Sequence, residues 1–162
     1  MIGIAIGDTF GAGYENLSTL DVQKRLNLTR YDSYPFNSGH KAGHYTDDTQ
    51  MSIAVAKTLY SMRFDAPNLA NSFLEEYNAN RIVGYSRNMS SLLKKSKSGN
   101  AFLQKAKHSD RNGAVMRVLP IGVQQNIKKV MEDSVTNAQV GYNTDSGLAS
   151  SVAVALASHY FF

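Results

Sequence analysis

A chain of 162 residues, 43% of them hydrophobic, is long enough for one domain with a real core and too short for two, so residues 1–162 are expected to form a single unit. It has no cysteine, which excludes disulfides, thiol catalysis and Cys-based zinc sites; a metal would have to be held by oxygen or imidazole. The formal charge of +4, from 17 basic and 13 acidic residues, collects in patches such as Lys94-Lys95-Ser96-Lys97 and Lys105-Ala106-Lys107-His108, which lack interleaved aromatics and predict solvated helix faces, with no nucleic-acid partner. No apolar run has membrane length and Met1 to Ile6 lacks a basic leader, so a soluble, cytoplasmic protein with no membrane partner is expected.

The first stretch, Ile2 to Phe10, is apolar and rich in glycine (Gly3, Gly7, Gly11 and Gly13 with its flank). Without a preceding strand or a Gly-Lys-Ser/Thr ending it is neither a Rossmann nor a P-loop nucleotide site, and Asp8 within it can satisfy backbone groups. Leu20 to Leu28 has a short helical pattern, followed by a polar and aromatic loop through Tyr31, Tyr34, Pro35 and Phe36. His40 and His44 stand four apart, which on a helix would form a zinc pair with Asp47, but Gly39 and Gly43 predict loop histidines.

At Tyr45-Thr46-Asp47-Asp48-Thr49-Gln50 two adjacent carboxylates lie between two hydroxyls. From there Met51, Val55, Leu59 and Met62, with Ala54 and Phe64 alongside, fall at helical spacing, so the acidic cluster opens a helix. Asp47 with Gln50 reads as a capping box, and Thr46 is a second candidate cap. One cap needs one oxygen, however, and neighbouring carboxylates repel unless a cation lies between them. Hard oxygen donors of this kind suit Mg²⁺, Mn²⁺ or Ca²⁺.

Asp65-Ala66-Pro67 ends that helix and starts another, with Leu69, Phe73, Leu74 and Tyr77 as its apolar face. Arg81 to Asn88, containing Gly84, reads as a turn, Met89 to Lys94 as a helix ending near Gly99-Asn100, and Ala101 to Ala106 as a short amphipathic piece. Asn112-Gly113 is read as the start of the next helix, able to present N–H groups to an anion. Met116 is expected to pack in the core and Arg117 to be a buried structural arginine. Ile127 to Val140 forms a further helix, and Ser146 to Phe162, rich in Ala and Val, a buried central one. No strand alternation or repeat occurs, so the fold class is all-α.

Three segments, Gly7-Asp8-Thr9-Phe10-Gly11-Ala12-Gly13-Tyr14-Glu15, Thr46-Asp47-Asp48-Thr49, and Asn112-Gly113-Ala114-Val115-Met116-Arg117-Val118-Leu119-Pro120-Ile121-Gly122, resemble in order and spacing the signatures of the ADP-ribosylglycohydrolase family. The resemblance spans nearly the whole chain but only the N-terminal half of the family's helical domain, which would make the chain a truncated or split member. It implies metal-dependent hydrolysis of the bond between ADP-ribose and a protein side chain, with Mg²⁺ (Mn²⁺ as the other candidate) held by Thr46, Asp47 and Asp48. Glu15, Asp47 and Asp48 would be catalytic, Glu15 on a mobile loop over the metal centre, and the opening segment would be a buried helix beside it. Ser109, Asn112, Gly113 and Tyr142 would bind substrate, Tyr142 standing where the family carries a histidine.

The chain departs from the family at Asp110 and Arg111, where the family often has an aromatic or small residue and then a glycine, and it has no D-x-D segment for a second set of metal ligands. The partners expected are therefore ADP-ribose or an ADP-ribosylated protein, and a second polypeptide, or another copy, that completes the domain. Val152, Val154, Leu156, Tyr160, Phe161 and Phe162 are the residues expected to face that partner. The alternative is a catalytically inactive ADP-ribose-binding or interaction module.

Overall fold

The computed structural model describes residues 1–37, 39–61 and 63–162; the expected core position Met62 lies outside them. Among the described residues the chain forms eight α-helices and two short 3-10 turns, with no strand. These are α1 (Ile2–Ala12), α2 (Thr19–Arg25), α3 (Asp47–Tyr60), α4 (Ala66–Ala79), α5 (Arg87–Lys95), α6 (Gly99–Lys105), α7 (Ile127–Gln139) and α8 (Asp145–Phe161), with the 3-10 turns at Asn112–Ala114 and Leu119–Val123. Among the described residues no helix is long and apolar enough to cross a membrane.

Local chemistry starts most of these helices where short polar side chains stand. Ser18, Asp65, Ser86, Ser98, Asn126 and Thr144 each accept a hydrogen bond from a backbone N–H of the helix they precede. Helix α3 lacks such a cap: Thr46 occupies the position but its side chain accepts nothing from the helix. The capping box expected of Asp47 and Gln50 is therefore absent. Gln50 turns away from the helix start, and its Nε2 donates to the carbonyls of Glu76 at 3.0 Å and Asn80 at 2.6 Å.

Two layers form the core. Helix α3 packs on α4 and α4 on α6, while α7 pairs with α8; the Leu119–Val123 turn lies between α3 and α8 and joins the layers. Met51, Val55, Leu69, Phe73, Leu93, Phe102, Val118, Ile121, Val130 and Val140 fill the space between. Arg117 lies in this core with no exposed surface. It donates from Nε to Asn137 Oδ1 at 2.8 Å and from Nη2 to the carbonyls of Asn137 at 3.0 Å and Val140 at 2.8 Å, with its guanidinium against the rings of Phe73 and Tyr142. The structural role expected of it is what is found. Met116 is half-buried, packed against the core on one side and facing the cleft on the other.

Several expectations are corrected. The Asn112 to Gly122 segment is not an α-helix: it forms two 3-10 turns, the second beginning at Leu119-Pro120, where proline has no N–H to give. Gly99 opens α6 under the Ser98 cap instead of closing α5. Helix α1 is not buried; only Thr9 and Ala12 are, while Ile2 is 79% and Ile6 45% exposed, because α3 is its main neighbour. Nor is α8 buried on all sides. Its inward stripe is the small set Gly147, Ser151, Ala155 and Ser158, leaving Val152, Val154 and Leu156 half-covered and Tyr160, Phe161 and Phe162 in the open.

Candidate active site

The cap that α3 lacks locally arrives from 38 residues upstream. Asp8 Oδ2 accepts from Thr46 N at 2.8 Å, Thr49 N at 3.1 Å and Thr49 Oγ1 at 2.6 Å, and Asp8 Oδ1 accepts from Thr46 Oγ1 at 2.6 Å. One carboxylate thus satisfies two backbone donors at the helix start, where the macrodipole also favours it. Asp47 and Asp48 are released from capping and turn to a cleft.

That cleft has two lobes, of about 550 Å³ and about 360 Å³, which share Glu15, Asp48, Asn112 and Met116. The larger runs along α1 past Gly3, Gly7 and Gly11; the smaller is lined by Asp47, Gly84, Ser86, Arg111, Gly113 and Tyr142 among others. The structure thus gathers Glu15, Thr46, Asp47, Asp48, Asn112, Gly113 and Tyr142 around one opening. Ser109 lines neither lobe: its hydroxyl accepts from Arg111 N at 3.2 Å and its N–H donates to the Gly141 carbonyl at 3.1 Å, holding a turn. The N–H groups at Asn112-Gly113 belong to a three-residue 3-10 turn, so no helix macrodipole stands behind them. A side chain at Gly113 would collide with the Tyr142 ring, whose Cε2 would be 2.8 Å from its Cβ. Tyr142 is therefore held between Gly113 and Arg117.

Charge dominates the site. Burial, then the neighbouring charges of Asp48, Glu15 and Asp8, push the Asp47 carboxyl from its ordinary 3.8 up to about 8. Burial and Asp8 raise Asp48, and burial with Asp48 and Asp8 raises Glu15. Tyr34 is raised by burial and by Glu15, next to which it stands; its hydroxyl accepts from Asn16 Nδ2 at 3.4 Å. Among the described residues lining the cleft, the one Lys or Arg is Arg111.

These oxygens are of the kind that suits a hard divalent cation, and their mutual repulsion is what a cation would relieve. Their number is short: among the described residues no three His, Asp or Glu side chains converge closely enough to enclose an ion. This holds for His40 and His44 too, whose ring centres are 6.1 Å apart in a loop. Asp8 and Gly84 carry more of the site than sequence reasoning gave them. For Asp8 the signal was its place in the glycine-rich opening; for Gly84 it was only an isolated glycine between two helices.

The fold and site together define an all-helical chain that presents paired carboxylates at a helix start to a cleft. The ADP-ribosylglycohydrolase family model matches residues 1–162, and the chain belongs to that family. It is 32% identical over 165 residues to an uncharacterized protein of Archaeoglobus fulgidus, covering 97% of this chain and 52% of that one. It is 29% identical to ADP-ribosylhydrolase ARH3 of Gallus gallus and 28% identical to that of Homo sapiens, covering 98% of this chain and 48% of each relative. The chain spans about half the length of the curated relatives it matches.

Proposed function

We propose that this chain supplies the Thr46-Asp47-Asp48 side of a metal-dependent site that hydrolyses the glycosidic bond between ADP-ribose and a protein side chain. The observation that carries the reading is that Asp8 takes over the helix cap, so that Asp47 and Asp48 crowd a cleft with Glu15. Thr46, Asp47 and Asp48 would hold Mg²⁺, or Mn²⁺, on this side. Bound there, the ion supplies Lewis acidity toward the substrate hydroxyls and the attacking water. The Thr46 hydroxyl donates its hydrogen to Asp8 Oδ1, which leaves that oxygen's lone pairs free. The raised affinity of Glu15 for a proton suits a group that takes one from water and returns one to the departing side chain. Asn112, Gly113 and Tyr142 would orient the ADP-ribosyl group, and Arg111, at the same lobe, would offer its guanidinium to phosphate oxygens.

The remaining metal ligands would come from a second polypeptide carrying a D-x-D-[ST] segment, or from another copy, docked on the exposed apolar residues of α1 and α8. The small number of converging carboxylates favours one other reading, an ADP-ribose-binding module without turnover. Calorimetric titration of the chain with Mg²⁺ and with ADP-ribose, and turnover of an ADP-ribosylated protein with and without a polypeptide spanning the relatives' other half, test both. Release of ADP-ribose supports the hydrolase; binding without release in either assay supports the module. Absence of any response to ADP-ribose would overturn both readings.

A further inference from the structure

We infer that the turn Val83-Gly84-Tyr85 is the positioning element for Asp47, fixing how its carboxylate is presented to the cleft. The turn joins α4 to α5 and is fastened to the first turn of α3 on both sides of Gly84. On one side the Val83 carbonyl accepts from Asp47 N at 3.2 Å. On the other, Tyr85 donates its hydroxyl to Gln50 Oε1 at 2.8 Å, while the amide of the same Gln50 is spent on the carbonyls of Glu76 and Asn80 at the end of α4. The Tyr85 ring stands edge-on to Tyr77 of the core, 5.3 Å between centroids, so the fastening is anchored in packed structure.

Between these two fastenings Gly84 has φ +104, which L side chains rarely adopt, and the Asp47 side chain occupies the space where a Cβ on it would stand. A Cβ there would overlap Asp47 Oδ1 and stand 2.9 Å from Asp47 Cγ and 3.1 Å from Thr46 Cβ. No side chain fits unless the carboxylate leaves its place. The glycine thus forms the wall against which Asp47 rests, and its conformation and its lack of a side chain are both required. An outer contact of this kind orients a ligand without touching the ion or the substrate.

The inference rests on the proposed function only in taking Asp47 for a metal ligand, and its test reads the Asp47 side chain directly. Gly84→Ala and Tyr85→Phe are made in the full chain, and the three-bond couplings that report χ1 of Asp47 and of Asp48 are measured by NMR beside a thermal melt and a Mn²⁺ titration. Gly84→Ala is expected to move Asp47 to another rotamer with Asp48 unchanged, and to weaken Mn²⁺ binding by at least about tenfold. Tyr85→Phe, which leaves the backbone free of strain, is expected to average the Asp47 couplings and weaken Mn²⁺ severalfold. Wild-type Asp47 couplings in both variants, even with lowered melting temperatures, would mean that the turn is merely structural and would overturn the inference. Should Gly84→Ala fail to fold, Tyr85→Phe alone decides by the same couplings. If the unaltered chain binds no Mn²⁺, the metal reading of Asp47 fails, while the couplings still decide whether the turn positions it.

Discussion

Two polar knots lie in the same apolar surroundings and differ in how their charge is met. Around Arg117, one fully buried cation is answered by Asn137 Oδ1 and the carbonyls of Asn137 and Val140, with the rings of Phe73 and Tyr142 on its faces. Burial lowers its pKa to about 10, still above neutrality, so it stays charged and satisfied. Around the start of α3, Asp8, Glu15, Asp47 and Asp48 bring like charge together; Asp8 is answered closely by the donors of Thr46 and Thr49, whereas Asp48 and Glu15 each receive a single long bond of 3.4 Å, from Thr46 Oγ1 and Asn16 Nδ2. A buried polar group with its partners holds a fold together, whereas one left short of them stores repulsion that a ligand can relieve. The first knot should therefore respond to mutation in stability and the second in binding.

The largest effect should come from breaking the satisfied knot. Arg117→Leu leaves Asn137 Oδ1 and the Val140 carbonyl without donors, and the Asn137 carbonyl with the Val140 N–H alone, and should cost about 3 kcal/mol or more. Arg117→Lys should recover little of this, because an ammonium cannot reach the same fork of carbonyls. Denaturant melts followed by circular dichroism measure both, and a loss under about 1 kcal/mol for Arg117→Leu would remove the distinction between the knots.

Asp8→Ala falls next, since Asp8 belongs to both regions. It should cost about 2 kcal/mol through loss of the α3 cap, less whatever is regained by relieving repulsion on Asp48. The same melts, read with amide exchange of Thr46 and Thr49, check it: those two amides should lose protection before the core of α4 does.

A pH series sharpens the contrast further. Because the Asp47 carboxyl binds its proton more tightly folded than unfolded, its contribution to stability is present below about pH 4 and lost as the pH rises toward about 8. Glu15 and Asp48 act in the same direction; the groups facing them are Asp8 on α1, Tyr34 in its loop and Arg111 across the cleft. The melting temperature of the metal-free chain should fall across that interval, and Asp47→Asn should flatten the slope. A slope unchanged in Asp47→Asn would place the responsible group elsewhere.

The smallest effect on stability belongs to Glu15. Half-buried in its loop and joined to Asn16 at 3.4 Å, it should shift stability by no more than about 0.5 kcal/mol on change to alanine, while turnover in the completed enzyme falls. Melting and turnover measured on one preparation of Glu15→Ala test this. A loss of several degrees would make Glu15 part of the scaffold.

Sequence by itself carried the helices that begin on strong local signals. Helix α4 starts at Ala66, where Asp65-Ala66-Pro67 predicts it, and α7 starts at Ile127, where the apolar period begins. It also brought Thr46, Asp47 and Asp48 to attention, since one cap needs one oxygen and neighbouring carboxylates repel, and it brought Glu15 through its place in the glycine-rich opening motif. What it could not decide depends on contacts across long separations. Local pattern assigned the cap of α3 to Asp47, but the carboxylate that captures those donors is Asp8 from another helix. Local pattern also continued a helix through Asn112 to Gly122, where Pro120 and the seat of the Leu119–Val123 turn between α3 and α8 impose 3-10 geometry. Gly84 was legible only as a turn, because the reason for a glycine there is the Asp47 side chain, 37 residues earlier, lying where a Cβ would go. Periodicity tells a residue which face of its own helix it occupies. Which distant atom meets that face is set only when the helices pack.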